Sequence, residues 1–442
     1  MTTKVIIVRH GQSSFNAAQK IQGRSDISVL TEKGQRDALK VGQSLADISV
    51  DVFYCSPLQR AKNTAQIIQS QLKNRPELQT NELLLEINLP IWENLVKEDV
   101  QRDFPDEYKL WKEEPHLLKM PVDGQDYYPI VELYKQAQQF WSELLQQHRG
   151  KTILVVGHNG INRCLLMAAS GIPIANYHRI QQSNCCINIL NFDAANNVQL
   201  ESINQTAHLD MPLPKPRSNQ GGVRLLLVRH GETQWNRESR FQGIKDIPLN
   251  DNGRLQAAKA AEFLKHIQLD FAISSSLSRP KETAEIILQH HNHIDLELSD
   301  QLIEICHGLW EGKLEKEIEQ EWTQLLQSWK VAPETVQMPE GENLDDVWLR
   351  AVKCWEDLVA QYKDSESLVT GLVVAHDAIN KVIVCHILGL TPADIWQIKQ
   401  GNGAVTVIDY QASEHGIPVL QALNITSHFG IGILDQTAAG AL

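Results

Sequence analysis

One stretch of this chain occurs twice at a nearly constant distance, and that repetition limits the fold more than any other feature. Lys4-Val5-Ile6-Ile7-Val8-Arg9-His10-Gly11 is answered by Arg224-Leu225-Leu226-Leu227-Val228-Arg229-His230-Gly231. His10 and His230 stand 220 residues apart, Arg60 and Arg279 219, Glu86 and Glu304 218, and His158 and His376 218. Asn204-Gln205-Thr206-Ala207-His208 is matched by Asn424-Ile425-Thr426-Ser427-His428, again 220 on. So steady an offset means two copies of one whole domain and excludes a solenoid of short repeats. In 442 residues each copy has length enough for a core of its own. Between them runs Met211-Pro212-Leu213-Pro214-Lys215-Pro216-Arg217-Ser218-Asn219-Gln220-Gly221-Gly222, proline-dense and then glycine-paired, the mark of a linker. The expected division is domain one over 1–211, linker 212–222 and domain two over 223–442.

Each repeated run is apolar, short and closed by Arg-His-Gly, which reads as a buried strand of a parallel sheet. A helix is expected from Thr31 to Leu45 and from Asn250 to Leu264, with Thr31 and Asn250 as N-caps. Second strands are expected at 51–56 and 270–275. Helices follow, with Pro57 and Pro280 in their first turns. Third strands run over 152–158 and 371–376. Ile187–Phe192 and Val405–Tyr410 look like closing strands, each followed by one more. The middle third of each copy is tryptophan-rich (Trp92, Trp111, Trp141; Trp310, Trp322, Trp329, Trp348, Trp355) and reads as helices capping the sheet. Strands alternating with helices predict an α/β fold: two tandem copies of a three-layer α/β/α domain on a mostly parallel central sheet.

A formal net charge of −13 disfavours nucleic acid and anionic membranes as partners. It leaves room for a small anion, because a few arginines can dominate one pocket. From the opening residues Met1-Thr2-Thr3-Lys4, which lead straight into the strand, no signal peptide is expected, and no apolar run reaches membrane-spanning length. The seven cysteines are scattered without CxxC spacing, which fits a reducing cytoplasm. Cys185-Cys186, in a strand-like run, reads as packing rather than redox chemistry.

Parallel strands deliver their carboxyl ends to one edge of the sheet, where open α/β folds bind ligands. His10, Ser56 with Arg60 just inside the next helix, and His158 should meet there, as should His230, Arg279 and His376. Arg9 and Arg229 join them, as do Glu86 and Glu304 from loops. Arginine forks hold phosphate oxygens and keep their charge. Among arginines an imidazolium is disfavoured, so the histidine should be neutral and nucleophilic. The glutamate can protonate a leaving alkoxide and then take a proton from water. No acidic cluster suggests magnesium and no His/Cys spacing suggests zinc, so neither metal nor cofactor is expected.

Arg229-His230-Gly231-Glu232-Thr233-Gln234-Trp235-Asn236, Phe241-Gln242-Gly243, Asp246-Ile247-Pro248-Leu249 and Gly253 together resemble the histidine phosphatase (phosphoglycerate-mutase-like) superfamily. The first copy is similar through Arg9-His10-Gly11, Asn16, Gln22-Gly23 and Leu30-Thr31-Glu32-Lys33-Gly34. So are Ser56-Pro57-Leu58-Gln59-Arg60-Ala61 with Thr64, and Ser276-Leu277-Ser278-Arg279 with Thr283. The resemblance implies a phosphohistidine on His10 or His230. It implies a phosphate pocket from Arg9, Arg60 and His158, or Arg229, Arg279 and His376, with Glu86 or Glu304 as proton donor. Asn16, Gln22, Gly23 and Asn159, with Asn236, Gln242 and Gly243, fall on substrate-contacting positions. The implied activity is metal-independent hydrolysis of a phosphomonoester, a small phosphorylated metabolite. The tandem layout is similar to that of a two-domain member acting on sugar-acid phosphates.

The copies depart from the pattern at different places. Copy two keeps glycines in His307-Gly308-Leu309-Trp310-Glu311-Gly312, where copy one has Asn88-Leu89-Pro90-Ile91-Trp92-Glu93-Asn94. Copy one keeps Gly157-His158-Asn159-Gly160, where copy two has Ala375-His376-Asp377-Ala378. Asp377 would put a carboxylate beside an anion site, to weaken phosphate affinity or to tune His376. Both sites are expected to be competent but unequal. Bisphosphate-primed mutases of this family carry a longer lid between glutamate and second histidine than the 72 residues of both copies, so a mutase-type phosphotransferase is the second reading. A bifunctional kinase is disfavoured because no G-x-x-x-x-G-K-[ST] loop is present. From another class, a non-catalytic phosphate-binding module would need neither Glu86 nor Glu304.

Overall fold

The computed structural model describes residues 2–216, 221–412, 416–430, 432–434 and 437. Contacts within it define two compact units, Met1–Pro214 and Lys215–Leu442. Part of the expected linker, 217–220, lies outside the described residues.

The first unit runs β1 (Thr3–Arg9), α1 (Ser14–Ala17), α2 (Glu32–Leu45), β2 (Val52–Cys55), α3 (Gln59–Gln71), β3 (Leu78–Thr80), α4 (Lys97–Asp103), α5 (Pro105–Glu113), β4 (Met120–Val122), β5 (Gln125–Tyr127), α6 (Pro129–Gln147), β6 (Thr152–Gly157), α7 (Asn159–Ser170), β7 (Ile187–Phe192) and β8 (Val198–Gln205). Its sheet has the order β8-β7-β1-β6-β2-β3. The strands β1, β6, β2 and β3 are parallel, while β7 and β8 turn back antiparallel at one side. Val5, Ile6, Ile7 and Val8 are fully buried, as expected where both sheet faces are covered.

The second unit repeats the plan with β9 (Val223–Arg229), α8 (Gln234–Arg237), α9 (Asp251–Leu264), β10 (Phe271–Ser275), α10 (Ser278–Leu288), β11 (Leu296–Ser299), α11 (Glu315–Val331), α12 (Leu344–Tyr362), β12 (Val369–Ala375), α13 (Asp377–Leu388), β13 (Val405–Tyr410) and β14 (Pro418–Ile425). Its sheet order is β11-β10-β12-β9-β13-β14. In each unit helices pair over the sheet, α2 with α3 and α6 with α7, then α9 with α10 and α12 with α13. The tandem α/β/α architecture on a mostly parallel sheet is therefore as read from the sequence.

Local chemistry explains where elements begin. Thr31 and Asn250 cap α2 and α9 by accepting from Gly34 N and Gly253 N. A β-carbon on Gly34 would collide with Gln12 O, and one on Gly253 with Glu232 O. Only glycine lets the loop after β1 or β9 lie this close to the helix start.

Some expectations need correction. Pro57 is not in the first turn of α3; it precedes the N-cap Leu58, and the helix opens at Gln59. Pro280 does lie in the first turn of α10. Cys185-Cys186 is not strand but the turn into β7, with Cys185 at φ 57 and both side chains buried. Half of the tryptophans named above are fully buried packing residues: Trp92, Trp310, Trp329 and Trp355. The structure adds the hairpin β4–β5 and the short edge strands β3 and β11.

Candidate active site

Parallel register brings the site together. Arg9 lies opposite Gly157 and Cys55 opposite Val156, so His10, His158 and Ser56 emerge side by side. Arg229 lies opposite Ala375 and Ser274 opposite Val374, which aligns His230, His376 and Ser275 likewise. The ring centroids of His10 and His158 are 5.0 Å apart, and those of His230 and His376 5.2 Å.

His10 is buried, and its Nδ1 lies 2.7 Å from Gly11 O. A carbonyl oxygen only accepts, so Nδ1 carries the hydrogen and Nε2 keeps its lone pair. His230 repeats this with Gly231 O at 2.7 Å. Burial first, then the neighbouring Arg60 and Arg9, holds His10 well below the usual histidine range. Burial, Arg279 and Arg229 do the same to His230. Both rings are neutral at neutral pH. Gly11 N donates to Thr64 Oγ1 at 3.0 Å, and that hydroxyl donates to Arg60 O at 2.7 Å, which locks the loop after β1 to α3. Thr283 does the same for Gly231 and Arg279.

The arginines are tied to carbonyls rather than carboxylates in the first unit. Arg60 donates to Ser25 O at 2.7 Å and Gly23 O at 2.9 Å, and Arg9 to Gln182 O at 2.7 Å. Arg279 donates to Lys245 O and Gly243 O, and Arg229 to Gln400 O at 2.6 Å. Carbonyl anchoring fixes the forks of Arg9, Arg60 and Arg279 without cancelling their charge. Burial lowers Arg279 to about 10, which leaves it cationic at neutral pH. Its Nε lies 3.3 Å from His230 Nε2, while the Nε atoms of Arg9, Arg60 and Arg229 are buried without a protein partner. His158 has neither ring nitrogen partnered, and His376 Nε2 lies 2.9 Å from Ser275 Oγ.

The amides are oriented from behind. Asn16 Oδ1 accepts from Ser13 N and Asn184 Nδ2, each at 3.1 Å, and Gln22 Oε1 accepts from Ser13 Oγ and Ser28 Oγ. With the oxygens engaged, each presents its NH₂ end as donor. Asn236 and Gln242 are held the same way by Thr233, with Asn402 in the place of Asn184. Gly23 and Gly243 sit at φ 51 and 58, where a β-carbon would strike the carboxylates of Glu93 and Glu311. Those carboxylates accept from Arg24 N at 2.6 Å and Ile244 N at 2.9 Å, bracing the loop. Asn159 opens α7 with its Oδ1 buried and unpartnered.

Glu86 and Glu304 sit at helix N-termini. Glu86 accepts from Ile87 N at 2.9 Å, Gly160 N at 3.0 Å and Ile161 N at 3.1 Å. Glu304 accepts from Ile305 N at 3.0 Å, Asp377 N at 3.1 Å and Ala378 N at 3.4 Å. Burial, and then Asp377, raises Glu304 above the ordinary carboxyl range. Their loops are held by Gln136, which donates to Leu83 O and Leu85 O, and by Arg350, which donates to Ile303 O and Glu304 O.

One pocket of the second unit is lined by Arg229, His230, Asn236, Gln242, Gly243, Arg279 and Glu304, all expected, and by His307, which was not. His307 is fully buried, neither ring nitrogen has a partner, and burial pulls it down to about 3. At the same 218-residue offset the first unit has Leu89. One of the two glycines missing from copy one also finds an explanation. Gly312 sits at φ 83, and at the same offset Asn94 takes φ 70, which asparagine tolerates. Thr64, Asn184, Glu93, Gln136 and His307 thus carry or support the site without having been assigned roles. The repeat offset was the available signal for Asn184 and Asn402, which are also 218 apart.

The described residues contain no group of three or more His, Cys, Asp or Glu side chains fit to hold a metal ion. No helix among them is long and apolar enough to cross a membrane. The family model of the histidine phosphatase superfamily (branch 1) matches residues 5–206 and again 225–426. The chain is 28% identical to the 2-carboxy-D-arabinitol-1-phosphatase of Triticum aestivum, over 97% of this chain and 86% of that protein. It is 30% identical to a probable 2-carboxy-D-arabinitol-1-phosphatase of Arabidopsis thaliana, over 97% and 88%. Phosphoserine phosphatase 1 of Hydrogenobacter thermophilus is 32% identical over 47% of this chain and 95% of its own length.

Proposed function

This chain belongs to the histidine phosphatase superfamily, and from that premise we propose that each unit hydrolyses a phosphomonoester through a phosphohistidine, on His10 in one and His230 in the other. The observation that carries the reading is the paired state of the histidine: Nδ1 tied to a carbonyl, Nε2 neutral and set among guanidinia.

In the first step Nε2 bonds to phosphorus as the ester P–O bond breaks. The departing alkoxide takes the proton of Glu86 or Glu304. Charge spreading over the phosphoryl oxygens is met by Arg9, Arg60 and His158, or by Arg229, Arg279 and His376, and by the NH₂ ends of the two amides. In the second step water attacks phosphorus and gives its proton to the same glutamate. The N–P bond breaks and inorganic phosphate leaves. Nothing in this sequence calls for a metal, since guanidinia supply the positive charge.

The substrate class is a sugar phosphate or sugar-acid phosphate, supported by the two plant relatives that match along 97% of the chain. All seven cysteines are free, which suits a reducing compartment, and we place the protein in the cytoplasm. The test is phosphate release from p-nitrophenyl phosphate and from a panel of sugar and sugar-acid phosphates, with EDTA present. Turnover should persist in EDTA, survive in part in His10→Ala and in His230→Ala, and vanish in the double variant. A magnesium requirement, or no release from any ester, would overturn the proposal. Transfer between the oxygens of a phosphoglycerate without release would establish the mutase reading in its place.

A further inference from the structure

The two sites differ by one buried charge. Asp377 opens α13 directly after His376, where the first unit has Asn159 directly after His158. Asp377 Oδ1 lies 3.2 Å from Arg229 Nη1 as a charge contact without a hydrogen bond, since Nη1 donates to Gln400 O, and its Oδ2 lies 2.8 Å from Lys381 Nζ. All three side chains are at least nine-tenths buried. Lys381 Nζ lies 4.9 Å from the centre of the Trp396 ring, so its other face is closed. One carboxylate is therefore shared between a supporting lysine and a pocket arginine.

The first unit has the cations without the anion. Arg163 stands at the offset of Lys381, is buried, and lies over the ring of Tyr177 at 5.0 Å. It forms no ion pair among the described residues. Arg9 is held by the Gln182 carbonyl and faces no aspartate at the helix start. Against the two expectations for Asp377, the geometry selects the arginine and not His376 as its target.

We propose that Asp377 is a positioning residue that holds back Arg229 and so makes the second pocket a weak binder of dianionic phosphate, leaving the first as the tight one. A phosphate entering beside Arg229 meets a carboxylate already on that fork. It gains less from the guanidinium and is repelled by Asp377 through a short, water-poor gap. The penalty applies equally to the product. The second pocket therefore releases inorganic phosphate readily and works at high substrate, while the first works at low substrate and is held by its product. This inference rests on the phosphatase reading only in placing phosphate in the pocket.

The experiment is calorimetric titration of the full chain with inorganic phosphate, which needs no turnover and so stands or falls apart from the hydrolysis proposal. The wild-type chain should show two classes of site, about tenfold or more apart. Asp377→Asn should tighten the weaker class about tenfold, and Asn159→Asp should weaken the tighter class to a similar degree. Lys381→Met should weaken the second site further, because Asp377 would then face Arg229 alone; a merely structural role predicts no such opposite signs. Competitive inhibition of p-nitrophenyl phosphate turnover by phosphate, in His10→Ala and His230→Ala backgrounds, assigns each class to its unit. A single class in the wild-type chain, or affinities unmoved by both Asp377→Asn and Asn159→Asp, would overturn the proposal.

Discussion

Glu86 sits over a glycine and Glu304 over an alanine. A β-carbon on Gly160 would lie 2.5 Å from Glu86 Oε1 and 2.9 Å from Tyr177 Oη. In the second unit the alanine is present, and the matching hydrogen bond lengthens to 3.4 Å from Ala378 N. Gly160→Ala should therefore displace the Glu86 carboxylate, the proposed proton donor, and cut the first unit's kcat about tenfold with little change in KM, read in a His230→Ala background; an unchanged kcat would show that the carboxylate is not so constrained. His307 makes a second case. A buried imidazole without partners costs stability, so His307→Leu, which installs the residue type of the first unit, should raise the melting temperature by the equivalent of about 1 kcal/mol or more. A lower melting temperature would mean that the ring has a partner in solution. The residues that meet at the candidate site were legible in the sequence because arginine, histidine and glutamate advertise charge and recur at fixed offsets. The roles of Thr64 and Glu93 are not legible there because both act on backbone, Thr64 on Gly11 N and Glu93 on Arg24 N, and nothing in a side chain's type announces which amide it will meet.

At the scale of elements, the start of α2 shows how a local rule can be reversed. Glycine inside a helix ordinarily costs stability relative to alanine. Gly34 lies in the first turn of α2, yet its added β-carbon would strike Gln12 O. Gly34→Ala should thus destabilise the first unit by about 2 kcal/mol where propensity alone favours alanine, visible as a lowered melting temperature. Gly253→Ala should do the same to the second unit; a stabilisation at either position would refute the close-packing account. Long parallel strands and capped helices were readable because their apolar periods and N-caps are written in adjacent residues. The edge strands β3 and β11 and the hairpin β4–β5 were not, being three or four residues each and fixed by neighbours instead of by pattern. Pro57 misled for a related reason: its ring suits a first turn, but the chain there still had to leave the sheet, and α3 began two residues later.

For the whole molecule the buried histidines set a pH limit. His10, His158, His230 and His376 are held well below the usual range, His208 and His428 are lowered to about 4, and His307 to about 3, each by burial first. The unfolded chain takes up these protons near pH 6.5 and the folded chain refuses them, so stability is full above that pH and falls as the pH drops below it. Each such histidine contributes about 1.4 kcal/mol per pH unit in that window. Glu304 and Glu311, both raised by burial first, work in the opposite direction, but they are two groups against these seven histidines. The melting temperature should fall steeply between pH 6.5 and pH 5, and a flat profile there would show that water reaches these rings. The sequence by itself determined the duplication, the parallel α/β plan and the set of charged groups, because periodicity and repeat spacing are properties of order along the chain. Only the tertiary structure decided which groups face one another: that Nδ1 of His10 is tied and Nε2 free, that Asp377 meets Arg229 and not His376, and that a buried His307 stands where the first unit has Leu89. The contact of Asp377 with Arg229 depends on a few ångströms between residues more than a hundred positions apart, and at that separation burial and Coulomb interactions, not local sequence, set the result.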